Sequence, residues 1–370
     1  MASSTRPARP VAGIGALIMI AVGGWWLLAP AQIPFVGLAQ LRISALLPND
    51  QAGWPLLLGG IAGLVLVAVL SRLPVVVGQV ASAMIGIGVF AAYQGNGTLS
   101  AIGYGLAVCV PLLILVGLVV GLIRISWLRL PLILITVAVA IVGILAGYAN
   151  PATWQRLLDN LAKVFGGPIV FGVLLTLAVC CAWLWLAVTI NPAPFSRLLG
   201  WVTAHRRPIT IAAACCFLPY AVIRLLWLAG IALDGPLFGV GGLDGPTGLD
   251  LGTRLWGASL GVASILGGVA VLGLILRWGE TFPRWFPFVG DRRVPILLAV
   301  VPGTLAGLAF LAMLPKAMTE LVQEFPRSLL TAWVLPFPIW GPLLIMAVAG
   351  YLGHRLAQDR VTRAAAGRPR

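Results

Sequence analysis

Charged residues are scarce in this chain. Of its 370 residues 9% are charged and 60% are hydrophobic, whereas a soluble domain is about a quarter charged. That shortage excludes an ordinary soluble enzyme or binding domain and puts the chain in the integral-membrane class. Lysine is nearly absent, with only Lys163 and Lys316 among 24 basic residues. Ten acidic residues and two histidines supply no paired carboxylates and no nucleophile–base set, so an intramembrane enzyme is the least favoured class. The five cysteines (Cys109, Cys180, Cys181, Cys215, Cys216) all lie in apolar runs. They have no CxxC spacing and no histidine beside them, which excludes a disulfide framework or zinc site and leaves small buried hydrophobes. No Walker loop, GxGxxG with a following acid, HExxH or GxSxG occurs, so no cofactor is expected and a pump driven by its own ATP hydrolysis is excluded.

Long apolar runs are what is present. Ten come near the 20 or so residues that a bilayer crossing needs: 11–29, 54–70, 75–93, 99–123, 131–148, 168–190, 209–231, 255–276, 295–314 and 329–352. The first is longer than the roughly 7–15 apolar residues of a signal peptide and reads as an anchor that stays. Backbone groups in hydrocarbon must be satisfied internally, and no alternating ten-residue pattern supports a barrel. The expected fold is therefore all-α, a polytopic transmembrane bundle of about ten spans. A short tail, 1–10, precedes the bundle at 11–353, and a basic tail, 354–370, follows it.

Basic residues sort by side. With both termini cytoplasmic, seventeen fall on inner connectors and tails and six on outer ones, while seven of the ten acidic residues fall outside. Such sorting orients a membrane protein, here in a bacterial plasma membrane. The net charge of +14 then points to anionic lipid headgroups as the partner, not to nucleic acid. Each outward-going span is led by arginine and proline: Arg9-Pro10, Arg72-Leu73-Pro74, Arg129-Leu130-Pro131, Arg207-Pro208 and Arg293-Val294-Pro295. Proline suits a first helical turn because its missing N–H would have been unpaired there. Arginine does not suit a helix N-terminus, so its presence marks topology. Trp25, Trp26, Trp54, Trp154, Trp256 and Trp333 fall at one interface and Trp127, Trp201, Trp278 and Trp285 at the other, while Trp340 is mid-span and reads as packing.

Three places offer chemistry. Arg224 is the only charge well inside a span; a mid-helix arginine costs roughly 2.5–3.5 kcal/mol on insertion scales and wants a partner or a wet cavity. It either snorkels to the outer surface or, with Tyr220 and Asp234, contacts an anionic ligand. Pro219 is placed to break its helix just below and free carbonyls. The second place is the outer loop with Asp234, Asp244 and Asp250, where Asp-Gly-Pro is turn chemistry first and a divalent-cation site second. The third is 150–165, an amphipathic helix on the outer surface, with 315–327 a fainter version. Glu280 and Asp291 are expected to offset their own loop's arginines, and His205 and His354 to form part of a basic border.

The words Trp278-Gly279-Glu280, Pro283-Arg284-Trp285 and Gly290-Asp291-Arg292-Arg293, with Arg206-Arg207-Pro208-Ile209 earlier, resemble a family of uncharacterised multi-pass membrane proteins of actinobacteria. The likeness covers about 192–314 and implies a plasma-membrane protein without naming a catalytic residue. The expected function is transport of a small solute. The alternative is a non-catalytic membrane subunit that gathers a membrane or cytoplasmic protein partner on its basic inner loops, 197–207 and 277–293.

Overall fold

The structure, a computed structural model, describes residues 7–33, 47–102 without 96 and 100, 129–145, 168–231, 251–284, 289–323 and 325–366 without 327, plus a few positions between 150 and 162. Among them every regular element is helical: α1 (Ala8–Leu28), α2 (Trp54–Val69), α3 (Val75–Tyr93), α4 (Arg129–Leu145), α5 (Pro168–Ile190), α6 (Ala193–Ala204), α7 (Arg206–Cys215), α8 (Leu218–Leu228), α9 (Leu251–Leu272), α10 (Ile296–Ala312), α11 (Leu314–Gln323), α12 (Ser328–Val334) and α13 (Phe337–Ala366). Seven stretches are long and apolar enough to cross a membrane: Ala8–Leu28, Trp54–Arg72, Val75–Tyr93, Val170–Ile190, Arg206–Leu228, Ile296–Gln323 and Ala332–Arg360. They coincide with seven of the ten expected runs. Helices α4 and α9 correspond to two more, with shorter apolar stretches, and most of 99–123 lies outside the described residues. So does most of the expected surface helix at 150–165. The leading prolines behave as anticipated: Pro74 and Pro295 are the residues just before α3 and α10, and Pro10, Pro131 and Pro208 sit in first turns.

The helices form two compact units, 1–101 with 161–198 and 102–160 with 199–370. In the first, α1 packs on α2 and α5, and α3 on α5. Its hub is Trp183 of α5, wholly buried. Glycines of three helices face this residue: a Cβ built on Gly63 of α2 would stand 2.5 Å from the indole Cζ2, and one on Gly86 of α3 3.2 Å from the Trp183 Cβ. One on Gly15 of α1 would stand 3.8 Å from the indole nitrogen. Small residues also bring α1 and α2 together, where a Cβ on Gly60 would lie 2.7 Å from the Ala16 carbonyl, the close approach that membrane helices use. The Trp183 indole N–H is buried without a hydrogen-bond partner among the described residues, but the other fully buried polar side chains here are neutral and matched. Buried Gln94 donates to Thr176 Oγ1 (2.6 Å) and accepts from Thr98 Oγ1 (2.6 Å), while Thr176 donates to the Gly172 carbonyl (2.8 Å). Arg9, in the first turn of α1, donates to the Val67 carbonyl through Nη2 (2.7 Å) and Nε (3.1 Å). A residue ill placed for its own helix thus satisfies the negative end of the antiparallel neighbour.

In the second unit α10 packs on α13, α8 on α9, and α7 on both α9 and α13. Gly303 and Gly307 of α10 receive Val348 and Ile345 of α13. Phe217, Phe310 and Trp340 form an aromatic cluster, with Trp340 stacked on Phe310 at 4.0 Å and edge-on to Phe217 at 4.4 Å. The connector after α9 makes a 3-10 turn at Arg277–Gly279 and doubles back. Phe282 N–H donates to the Arg292 carbonyl (2.9 Å) and Val294 N–H to the Glu280 carbonyl (3.0 Å), with Asp291 in the left-handed region (φ 60°). Helix α13 runs from Phe337 to Ala366 and so includes 354–366, most of the basic tail.

Candidate functional site

The span Arg206–Leu228 is not one rod. Helix α7 ends at Cys215, Cys216 and Phe217 form a turn, and α8 starts at Leu218 with Pro219 in its first turn. Proline cannot continue the ladder of a preceding helix, so the break falls where the sequence places it. The Phe217 carbonyl at the break accepts from Ala221 N–H (3.3 Å) and from Ser264 Oγ of α9 (3.0 Å). That carbonyl is therefore committed to packing, not open to a ligand.

Two turns further on, Arg224 lies half-buried in the α8–α9 seam. Gly257 and Gly261 of α9 hollow out its bed. A Cβ on Gly261 would stand 2.9 Å from Arg224 Cβ, and one on Gly257 3.6 Å from Nη1, so the side chain extends toward the N-terminal end of α9. Its guanidinium carbon sits 5.0 Å from the Tyr220 ring centroid and 4.8 Å from that of Trp227. Tyr220 is thus a neighbour of Arg224, as expected, and Trp227 is one the sequence reading missed, although its i+3 spacing carried the signal. Trp227 is held in place by packing with Ile223 and Val334. Neither α8 nor α9 carries an acidic residue. Among the described residues no carboxylate pairs with Arg224 and no acceptor meets its N–H groups. Asp234, Asp244 and Asp250 lie outside the described residues, and among the described ones no group of three His, Cys, Asp or Glu side chains is placed to hold a metal.

A second polar cluster lies on the connector after α9. Glu280 receives Arg206 Nη1 from the start of α7 (3.4 Å), and His354 Nε2 (3.2 Å) and Gln358 Nε2 (3.3 Å) from α13. His354 Nε2 is also 2.9 Å from Gln358 Nε2. One nitrogen cannot serve both, so it donates to Glu280 when protonated and accepts from Gln358 when not. Burial raises the Glu280 carboxyl; the Gln358 hydrogen bond and the His354 and Arg206 charges lower it and prevail, leaving it below the ordinary carboxylate range. One turn before Gln358 along α13, Arg355 is buried and fully engaged. It donates to Tyr351 Oη (2.8 Å) and the Val294 carbonyl (2.9 Å), and Tyr351 in turn donates to the Gly279 carbonyl (2.9 Å).

The cluster departs from the sequence reading in one half. Asp291 does pair with its own loop's Arg284 (3.2 Å), an exposed contact of little energetic weight. Glu280 instead recruits residues 74 and more positions away, and His354 belongs to that network, not to a basic border. His205 stacks on Trp201, with ring centroids 4.7 Å apart. The leading arginine Arg293 is tied to Asp359 of α13 at 3.0 Å. Four cysteines, Cys180, Cys181, Cys215 and Cys216, are free thiols. The chain as a whole was compared with known proteins: no family model, no curated protein and no solved structure matches it.

Proposed function

We propose that this chain is a plasma-membrane transporter of a small solute, crossing the bilayer about ten times with both termini cytoplasmic, and that Arg224 and Tyr220 contact the solute. The observation that carries the reading is a cation retained inside a span, bedded on glycines and flanked by Tyr220 and Trp227, with no acid on either helix of its seam. An intramembrane charge is costly and persists where a pathway or ligand uses it. The break at Cys216–Phe217, just below, adds the interrupted helix that transport folds employ. The proposal extends to kinship with the actinobacterial family that 278–295 resembles. Flux of small anions and neutral solutes into proteoliposomes is the test: Arg224→Ala is expected to abolish flux of the true substrate, and unchanged flux removes Arg224 from the site.

The alternative, a membrane subunit that gathers a protein partner, draws on a different observation. Glu280, Arg355 and the Arg293–Asp359 pair tie the connector after α9 to α13, which holds part of that basic loop in place. Purification in mild detergent that always delivers the chain alone counts against this reading.

A further inference from the structure

Helix α6 follows the stretch Val170–Ile190 and leads into Arg206–Leu228. It has 12 residues, so it is about 18 Å long, too short for a hydrocarbon core of about 30 Å. Two spans joined by so short a link end and begin at the same face of the bilayer, so α6 lies along that face. One side of it is seated on α13, where Leu199, Val202 and Thr203 meet Gly350 and Gly353 and Val202 is only 2% exposed. The side away from α13 is bare. Leu198 and Trp201, three residues apart, are 56% and 53% exposed. Arg197 stands one turn before Trp201, and His205, one turn after it, stacks on the indole. The hydroxyls of α6 are spent on its own backbone, Ser196 donating to the Ala193 carbonyl (2.9 Å) and Thr203 to that of Leu199 (2.7 Å).

Charge on this surface is of one sign. No acid occurs between Asp159 and Asp234. Arg206 is committed to Glu280, whereas among the described residues neither Arg197 nor Arg207, both exposed, is in an ion pair. An indole and a leucine bared beside unpaired cations match the boundary where acyl chains give way to anionic phosphates. Lipid is already at hand, since the flanking spans hold α6 at the membrane, and a protein partner would have to displace it. We infer that α6 lies in the headgroup layer, with Trp201 and Leu198 turned toward the acyl chains and Arg197 and Arg207 on the phosphates of anionic lipids. The inference goes beyond the transport reading and takes from it only the side: with cytoplasmic termini, the leaflet is the inner one.

The test uses full-length protein in nanodiscs of equal parts phosphatidylcholine and phosphatidylglycerol. In one arm, native mass spectrometry counts which lipid stays with the protein. Phosphatidylglycerol is expected to be retained in preference, and Arg197→Gln or Arg207→Gln each weakens that preference about fivefold, the weight of one cation near an anionic surface. Arg197→Lys keeps it, because headgroup attraction counts charge. In the other arm the five cysteines are replaced by alanine, and a nitroxide is carried by Leu198→Cys or by Gly200→Cys, where the surroundings are open. Oxygen, which concentrates among acyl chains, should relax the label at 198 more than a water-soluble nickel chelate does, and the order should reverse at 200. A label at 198 that the chelate relaxes more strongly shows a helix clear of the membrane, its surface left to a protein partner, and overturns the inference. Lipid retention indifferent to Arg197→Gln and Arg207→Gln alike also overturns it, and that arm needs no cysteine replacement. Neither arm measures flux, so loss of the transport reading leaves α6 in the headgroups, and an α6 free of lipid leaves transport standing.

Discussion

Fully buried polar side chains in 1–101 with 161–198 are neutral, as at Ser82, Gln94, Thr98 and Thr176, and its half-buried Arg9 is met by the Val67 carbonyl, whereas 102–160 with 199–370 carries a buried Arg355 and a half-buried Arg224. The neutral set closes on itself through hydrogen bonds of 2.6–2.8 Å, so it holds helices in register and asks for nothing more. The two charges differ from each other as well. Arg355 is buried with the Val294 carbonyl and Tyr351 hydroxyl as acceptors, a structural pin. Arg224 is half-buried between rings and glycines with no acceptor among the described residues. A charge that the fold already satisfies is architecture, and one that it leaves open is a candidate for use.

The largest expected effect lies in the first unit. Trp183→Ala removes its hub and leaves a cavity walled by Gly15, Gly63 and Gly86, which have no side chains to fill it; about 3–5 kcal/mol of stability should be lost. A loss under about 1 kcal/mol in a thermal-unfolding series would deny Trp183 that role. Next comes Arg355→Ala. Each buried acceptor left without its donor costs about 1–3 kcal/mol, and Arg355→Lys should recover only part because an ammonium lacks the planar fork. The contrast sharpens at Arg224→Gln, which should leave stability equal or slightly raised, since it takes an unmatched charge out of an apolar seam. A destabilisation as large as that of Arg355→Ala would erase the distinction between pin and open site.

The smallest effect is one of pH. The Glu280 carboxyl is held below the ordinary range in the folded protein, so between the two values the unfolded chain binds the extra proton. Stability is then complete above the ordinary carboxylate range and lost as pH falls through the lowered value. Melting temperatures taken from neutral to acid pH should show that decline, and Glu280→Gln should flatten it. An unaltered profile in the variant would mean that Glu280 contributes nothing through its charge.

Several of these features could be read without coordinates. Pro219 announced the break in Arg206–Leu228, and Tyr220 was already paired with Arg224. The i+3 position of Trp227 carried the same information and went unused. What could not be read is which glycines matter. The chain has 45, and nothing local separates Gly63, pressed against an indole, from Gly88, which faces open space. Arg9 was assigned to lipid by its place at a helix start, yet it bonds the end of α2, because an antiparallel neighbour presents carbonyls where the cation lies.

By itself the sequence determined that the chain is helical and suited to a membrane. Apolar length is a local sum, and hydrocarbon leaves a backbone no other way to satisfy its own N–H and C=O groups. Only the tertiary structure decided that Glu280 belongs with Arg206, His354 and Gln358, that Arg355 is a pin, and that Arg224 lies on Gly257 and Gly261. Those partnerships depend on which helices lie side by side, and that choice is made by glycine notches and the side chains that fit them, a complementarity no single stretch of chain contains.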